Sequence, residues 1–161
     1  MVIDIITVIQ FIWPIIGGII GGMIGVNFFL KKERRLFANI QRPISIISTD
    51  EMPMEHEVRL LDRVGFFNVG TPQSDGRSVD LLNGSRLVII GYSPNSDKFK
   101  SAFNAAKQRE IPVIVYAGPS RITQDDMTLL QSYSLHSMCN TPLRLISDVF
   151  SMMGTYPEKN I

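Results

Sequence analysis

The chain begins with a long run of apolar residues. The segment "IITVIQFIWPIIGGIIGGMIGVNFFL", from Ile5 to Leu30, contains no charged residue. As a helix, its roughly 26 residues would extend about 39 Å, enough to cross a hydrocarbon core of about 30 Å. A cleaved signal peptide fits less well, because the preceding residues include Asp4 and no lysine or arginine. The pattern predicts a single transmembrane helix over 5–30.

Basic residues follow this run as "KKERR", at positions 31–35. Positive charges next to a span favour the cytoplasmic side of the membrane. We therefore expect residues 1–4 outside the cytoplasm, a basic connector over 31–42 and a cytoplasmic domain after it. This places the protein in the cell membrane with a single span.

The glycines of the apolar run are regularly spaced. They form two neighbouring stripes on a helix, namely Gly17, Gly21 and Gly25 on one and Gly18 and Gly22 on the other. Stripes of this kind let two membrane helices approach closely. They favour packing against a second copy of the chain or against the helix of a partner, although glycine is also common in membrane helices.

The pattern changes from Pro43 onward, where short apolar runs alternate with amphipathic stretches. Five strands are predicted, at Ile44–Ile47, Phe66–Val69, Leu87–Ile90, Ile111–Tyr116 and Leu135–Cys139. Alternating strands and helices predict a parallel sheet that is covered on both faces. The expected fold class is α/β, with a five-stranded doubly wound sheet in the order 2-1-3-4-5 over 43–154 and a tail over 155–161.

Several residues suggest where the helices begin and end. Pro53 suits the first turn of the helix after the first strand, and Gly65 its end. Thr123 is the expected N-cap of the fourth helix, and Gly154 the expected end of the last. The piece "VDLLNG", at 79–84, predicts a short helical turn.

Composition excludes several classes of function. The formal net charge of +1 gives no basic field for nucleic acid. The single cysteine, Cys139, fits a reducing compartment and the role of a small core residue. His56 and His136 are far apart in the sequence and predict no metal site. No phosphate-binding or dinucleotide-binding glycine motif follows any strand, so no cofactor is expected.

Polar residues follow the first and third strands, whose carboxyl ends meet at one edge of the sheet. The candidate ligand-binding residues are Asp50, Glu51, Gly91, Tyr92, Ser93 and Asn95. The acidic pair could hold a divalent cation or could complement the helix dipole. The small polar side chains near Asn95 could bind the phosphate of a small nucleotide, or could serve as an ordinary helix cap.

The region from Ile44 to Met153 resembles the receiver domain of response regulators. The resemblance lies in "TDE" after the first strand, "LVIIGYSP", "PVIVY" and "NTP". It implies a flavodoxin-like fold, a phosphoacceptor aspartate after the third strand and a lysine before the last proline. This chain has Gly91 at the aspartate position, and Asn140 or Thr141 at the lysine position.

A second resemblance is to Toll/interleukin-1 receptor (TIR) domains. It lies in "VIIGYSPNSDKFKSAFNAAKQREIPVIVY" and also implies a flavodoxin-like fold. Enzymatic members of that family carry a catalytic glutamate in the helix of this segment. The helix here contains no glutamate, and Lys107 is nearest to the expected place.

The missing phosphoacceptor aspartate and the missing catalytic glutamate both favour binding over catalysis. The sequence predicts a membrane-anchored signalling or scaffold protein that binds a partner through its cytoplasmic domain and assembles through the glycine stripes. The alternative is a TIR-like, nucleotide-responsive membrane effector of bacterial immunity. A third hypothesis is an enzyme that uses Asp50 and Glu51 with a metal.

Overall fold

The computed structural model describes residues 5–73 and 82–155. The chain separates into two units, Met1–Ala38 and Asn39–Ile161. The predicted outer segment 1–4, the first residues of the predicted turn at 79–84 and most of the predicted tail lie outside the described residues.

Helix α1 runs over Ile5–Ile40 and includes all described residues of the first unit. The helix continues through most of the predicted connector at 31–42, which stays a prediction. Residues 31–40 are largely lysine, arginine, glutamate, leucine and alanine, which favour a helix, and no proline occurs between Pro14 and Pro43. Over the described residues, the structure contains no helix that is both long enough and apolar enough to cross a membrane. The predicted span is not confirmed and stays a prediction.

The second unit contains a five-stranded parallel sheet in the order β2-β1-β3-β4-β5. The strands are β1 (Pro43–Ile47), β2 (Asn68–Val69), β3 (Leu87–Gly91), β4 (Val113–Tyr116) and β5 (His136–Cys139). The predicted strand order and the flavodoxin-like architecture are confirmed. β2 is shorter than its predicted range, since Phe66 and Phe67 precede the paired residues.

Four helices of the described residues cover the sheet. They are α2 (Glu55–Val64), α3 (Asp97–Gln108), α4 (Gln124–Gln131) and α5 (Pro142–Thr155). Gly65 ends α2 in the left-handed conformation as predicted, and the Thr123 side chain caps α4 by accepting from the Asp126 amide. Two expectations are wrong. Pro53 lies before α2, whose N-cap is Met54, and α5 continues past Gly154.

The core lies on both faces of the sheet, because successive residues of a strand point to opposite sides. On β3, Val88 and Ile90 pack with residues of α3 and α4, whereas Leu87 and Ile89 pack with residues of α2 and α5. All five residues of β3 are buried. This central strand is fixed from both sides, so its carboxyl end holds the adjoining loops in place.

Candidate functional site

The carboxyl ends of β1, β3 and β4 meet at one edge of the sheet, where the site was predicted. β1 and β3 pair through Ile47 and Ile90, and β3 and β4 pair through Gly91 and Tyr116. The loops that leave these strands therefore lie next to one another. In a doubly wound sheet this edge is the usual place for ligands and catalytic groups.

A methionine fills the centre of this edge. A Cβ atom on Gly91 would lie 2.9 Å from the Met52 carbonyl oxygen and 3.0 Å from the Cγ atoms of Met52 and Met54. A Cβ atom on Gly118, after β4, would lie 2.6 Å from the Met52 Cε. Met52 thus spans the ends of β3 and β4. We call Met52 and Met54 the methionine plug.

The plug is held by the turn that follows β1. The amide of Thr49 donates to the Met52 carbonyl at 3.2 Å, and the Met52 amide donates to the Thr49 carbonyl at 3.1 Å. These two bonds place Met52 beside Gly91. The side chains of the two intervening residues, Asp50 and Glu51, are exposed to solvent.

The acidic pair therefore does not converge on Gly91. The Asp50 side chain is 96% exposed, with a carboxylate oxygen 3.9 Å from the Lys98 ammonium. Met52, and not either carboxylate, is the residue of this turn that contacts the end of β3. That Asp50 and Glu51 bind a ligand stays a prediction.

The loop after β3 is fastened to the start of α4. The Tyr92 hydroxyl donates to Asp126 Oδ2 at 2.9 Å and accepts from the Thr123 amide at 3.0 Å. The Thr123 hydroxyl donates to the same Oδ2 at 2.8 Å, and the Asn95 amide does so at 3.4 Å. Tyr92 and Asp126 are both completely buried. The geometry gives Tyr92 a structural partner within the protein.

The carboxyl group of Asp126 remains ionised in this network. Burial alone would raise its pKa, but the hydrogen bonds from Thr123, Tyr92 and the Asn95 amide, with the Lys100 charge, hold the pKa below its ordinary value. Lys100 Nζ lies 3.8 Å from Oδ1. Burial and the neighbouring Asp126 raise the pKa of Tyr92. The phenol is therefore a stable proton donor to the carboxylate.

Sequence reasoning missed the role of Asp126. The residue was visible as an acidic group in the first turn of α4, where it complements the helix dipole. Its partner Tyr92 lies 34 residues earlier. Their contact depends on how the third and fourth strands pair.

The remaining candidate residues lie near this edge without forming a catalytic group. Ser93 is buried, and its carbonyl accepts from the Ser96 amide at 3.3 Å, whereas the Asn95 side chain is exposed. Asn140 and Thr141, at the lysine position of a receiver, are exposed. The Thr141 hydroxyl accepts from the Arg144 amide at 3.4 Å at the start of α5.

Two other titratable groups near the strand ends are buried. Burial raises the pKa of the Cys139 thiol to about 12, which keeps it protonated and unreactive. Burial, followed by the nearby Glu57 carboxylate, raises the pKa of Tyr116 to about 12. Within 5–73 and 82–155, no group of three or more His, Cys, Asp or Glu side chains could hold a metal ion.

The residue in the place of the TIR-family glutamate also has a structural contact. Lys107 Nζ donates to the Ser132 hydroxyl at 2.7 Å, across the ends of α3 and α4. Nothing in this contact favours glycosidic chemistry. The TIR-like interpretation gains no support from it.

Comparison with known proteins agrees with the receiver resemblance at the level of the fold. No family model matches the sequence, and no curated protein matches it. The structure is similar to one described as the crystal structure of the response regulator ChrA in a heme-sensing two-component system, with a TM-score of 0.52 and 14% sequence identity. The alignment covers 73% of this chain and 61% of the ChrA chain. This chain therefore spans less than two thirds of the length of the ChrA chain. The similarity supports a flavodoxin-like α/β fold for the second unit.

Proposed function

We propose that the protein is a membrane-anchored signalling adaptor whose receiver-like domain binds a protein partner without accepting a phosphoryl group. The observation that carries this proposal is the methionine plug at Gly91. The plug occupies the place where a phosphoacceptor side chain would be needed.

Phosphoryl transfer to a receiver requires a carboxylate in line with the donor and positive charge to stabilise the transferred group. Gly91 supplies no carboxylate, and the Met52 carbonyl leaves no room for a side chain there. Asp50 and Glu51 face solvent. The edge therefore combines the receiver fold with apolar packing in place of the reactive groups.

Membrane anchoring by α1 is supported by its exposed apolar surface. Large apolar side chains from Ile16 to Leu30 are 42% to 75% exposed, namely Ile16, Ile19, Ile20, Met23, Ile24, Val26, Phe28, Phe29 and Leu30. A surface of this kind is stabilised by lipid or by another helix. The four basic residues within 31–35 favour a cytoplasmic second unit in a single-pass protein.

Assembly through α1 is supported by the space around its glycines. A Cβ atom on Gly17, Gly18, Gly21, Gly22 or Gly25 would meet no atom within 4 Å. The two stripes are therefore open to a partner helix, either a second copy of this chain or another membrane protein.

The experiment that tests the absence of phosphotransfer treats the full chain with a small phosphodonor and Mg²⁺ and measures its intact mass. A receiver with its aspartate in place serves as the positive control. We expect the chain to remain unmodified while the control gains a phosphoryl group. A phosphate on Asp50 or Glu51, lost in the Asp50→Asn or Glu51→Gln variant, would refute the non-catalytic proposal.

The membrane orientation is tested with a reporter fused after Ile161. We expect activity from a reporter that works in the cytoplasm. A fusion that is active only outside the cytoplasm would overturn the orientation and leave the phosphodonor result unaffected.

A further inference from the structure

A cavity of about 630 Å³ lies beside the end of β1, apart from the methionine plug. Its walls come from the turn after β1, the first half of α2 and the segment after β2, and are formed by Ser48, Thr49, Asp50, Pro53, Glu55, Val58, Arg59 and Pro72. Cavities of about 300–1,000 Å³ are typical of small-molecule sites.

One residue of the wall, Thr49, carries a buried hydroxyl group without a partner. Thr49 is 3% exposed, and its Oγ1 makes no hydrogen bond to any described residue. The neighbouring Ser48 hydroxyl, by contrast, donates to the Pro53 carbonyl at 2.7 Å. The Thr49 amide and carbonyl are both bonded to Met52. A buried hydroxyl left unpaired is unfavourable, so a ligand that bonds to it would remove that cost.

Three charged residues, Asp50, Glu55 and Arg59, line the cavity, and a fourth, Lys98, lies outside the lining beside Asp50. Asp50 lies 3.9 Å from Lys98, and Glu55 lies 3.6 Å from Arg59. Two carboxylates with two cationic partners create no net field that would select an anion or a cation. They do offer hydrogen-bond acceptors and donors close together.

The rest of the wall is aliphatic. Pro53, Val58 and Pro72 present C–H surface, and the described lining residues include no aromatic ring on which a nucleobase could stack. A hydroxyl such as that of Thr49 can both donate and accept. The chemistry of the wall therefore matches a molecule with many hydroxyl groups and C–H faces.

The geometry points to a binding site for a small, neutral, polyhydroxylated molecule such as a monosaccharide, with Thr49 as its buried hydrogen-bonding partner and Arg59 and the two carboxylates at its rim. This site goes beyond the proposed adaptor function. It involves neither Gly91 nor Met52.

Saturation-transfer NMR on the full chain tests this site. The probes are D-ribose and D-glucose, with putrescine and inorganic phosphate as cationic and anionic comparators. We expect signal transfer to the C–H protons of at least one sugar and none to putrescine. Phosphate binding is measured by the ³¹P line width, which should not change when the protein is added. Thr49→Val should weaken sugar binding about tenfold, the loss expected for one buried hydrogen bond.

Two further variants make the result specific. Thr128→Val removes an exposed hydroxyl on α4 that bonds to the Gln124 carbonyl, and should leave sugar binding unchanged. Arg59→Gln changes an exposed rim residue and should weaken binding severalfold while the fold, checked by circular dichroism, is retained.

Three outcomes would overturn the inference. No sugar binding would exclude the site, and sugar binding that is equal in the Thr49→Val variant would exclude Thr49 as the partner. Stronger binding of putrescine or phosphate would exclude the polyhydroxyl class. None of these outcomes bears on phosphotransfer, which is measured separately.

Discussion

Replacing Gly91 by alanine should destabilise the second unit, because the added methyl group has no room. The new Cβ would lie 2.9 Å from the Met52 carbonyl oxygen, which belongs to the backbone and is held by the turn after β1. Overpacking of this kind costs about 1–3 kcal/mol. Alanine also reduces the conformational freedom of the unfolded chain, which offsets about 0.4–1 kcal/mol. We expect a net loss of about 1–2 kcal/mol.

The assay is urea denaturation of the full chain, followed by circular dichroism. A lower midpoint with an unchanged slope reports a change in stability alone. Gly70→Ala is the matched control, since its Cβ would lie 3.2 Å from the Ile44 carbonyl oxygen and should cost less. Gly91→Ala as stable as the parent would refute the methionine plug.

A double-mutant cycle separates the Met52 side chain from the other sources of the clash. Met52→Ala removes the Met52 Cγ contact at 3.0 Å but leaves the Met52 carbonyl contact at 2.9 Å and the Met54 Cγ contact at 3.0 Å. We therefore expect Gly91→Ala to remain destabilising in the Met52→Ala background, although by less than in the parent. Complete loss of its effect there would assign the clash to the side chain alone.

Four further predictions concern other parts of the chain. Tyr92→Phe removes a buried hydrogen bond to the Asp126 carboxylate and should cost about 1.5–3 kcal/mol in urea denaturation. The pKa of Asp126 is lower in the folded than in the unfolded protein, so the ionised carboxylate stabilises the fold above a pH of about 4, and this stabilisation is lost as the pH falls through the folded pKa. An Asp126→Asn variant whose stability falls as steeply with acid as that of the parent would contradict this pH dependence. Thr49→Val should raise the free energy of unfolding by about 1 kcal/mol, because it removes an unpaired hydroxyl. A lower free energy of unfolding in this variant would show that the hydroxyl has a partner. Gly21→Ile should lower the crosslinked oligomer fraction in native membranes without preventing insertion, and Gly18→Ile tests the second stripe in the same way. If both variants crosslink as much as the parent, any assembly belongs to the second unit.

The sequence was sufficient for the order of the elements and of the strands. Runs such as "LVII" and "VIVY" are apolar and rich in branched side chains, which predicts strands buried on both faces. Once the strands are parallel, right-handed crossovers leave few possible orders. The apolar face of α3, from Phe99 to Ala106, was visible from its spacing for the same reason.

The ends of the helices were harder to predict, because tertiary contacts there compete with the local preference of proline and glycine for helix ends. Pro53 is favourable in a first helical turn, yet its carbonyl accepts the Ser48 hydroxyl and the helix begins after Met54. Gly154 often ends a helix, yet Met153 beside it is buried in the core and α5 continues to Thr155.

The sequence predicted which strand ends meet, but not which side chains lie against them. The sequence "TDEMPM" contains two carboxylates and two methionines, and its pattern does not reveal which of them turn toward β3. That choice is made by the paired bonds between Thr49 and Met52, which turn the carboxylates to solvent. The Tyr92–Asp126 contact was equally hidden, because it joins loops from different strands.

The network around Asp126 makes the loop after β3 and the start of α4 a single cooperative unit. The amide protons of Asn95 and Thr123 are sheltered by the Asp126 carboxylate and the Tyr92 phenol, which are bonded to each other. Opening the buried Tyr92–Asp126 pair would release both amides at once. We therefore expect Tyr92→Phe to raise the hydrogen-exchange rates of both amides, although the two residues lie on separate segments of the chain.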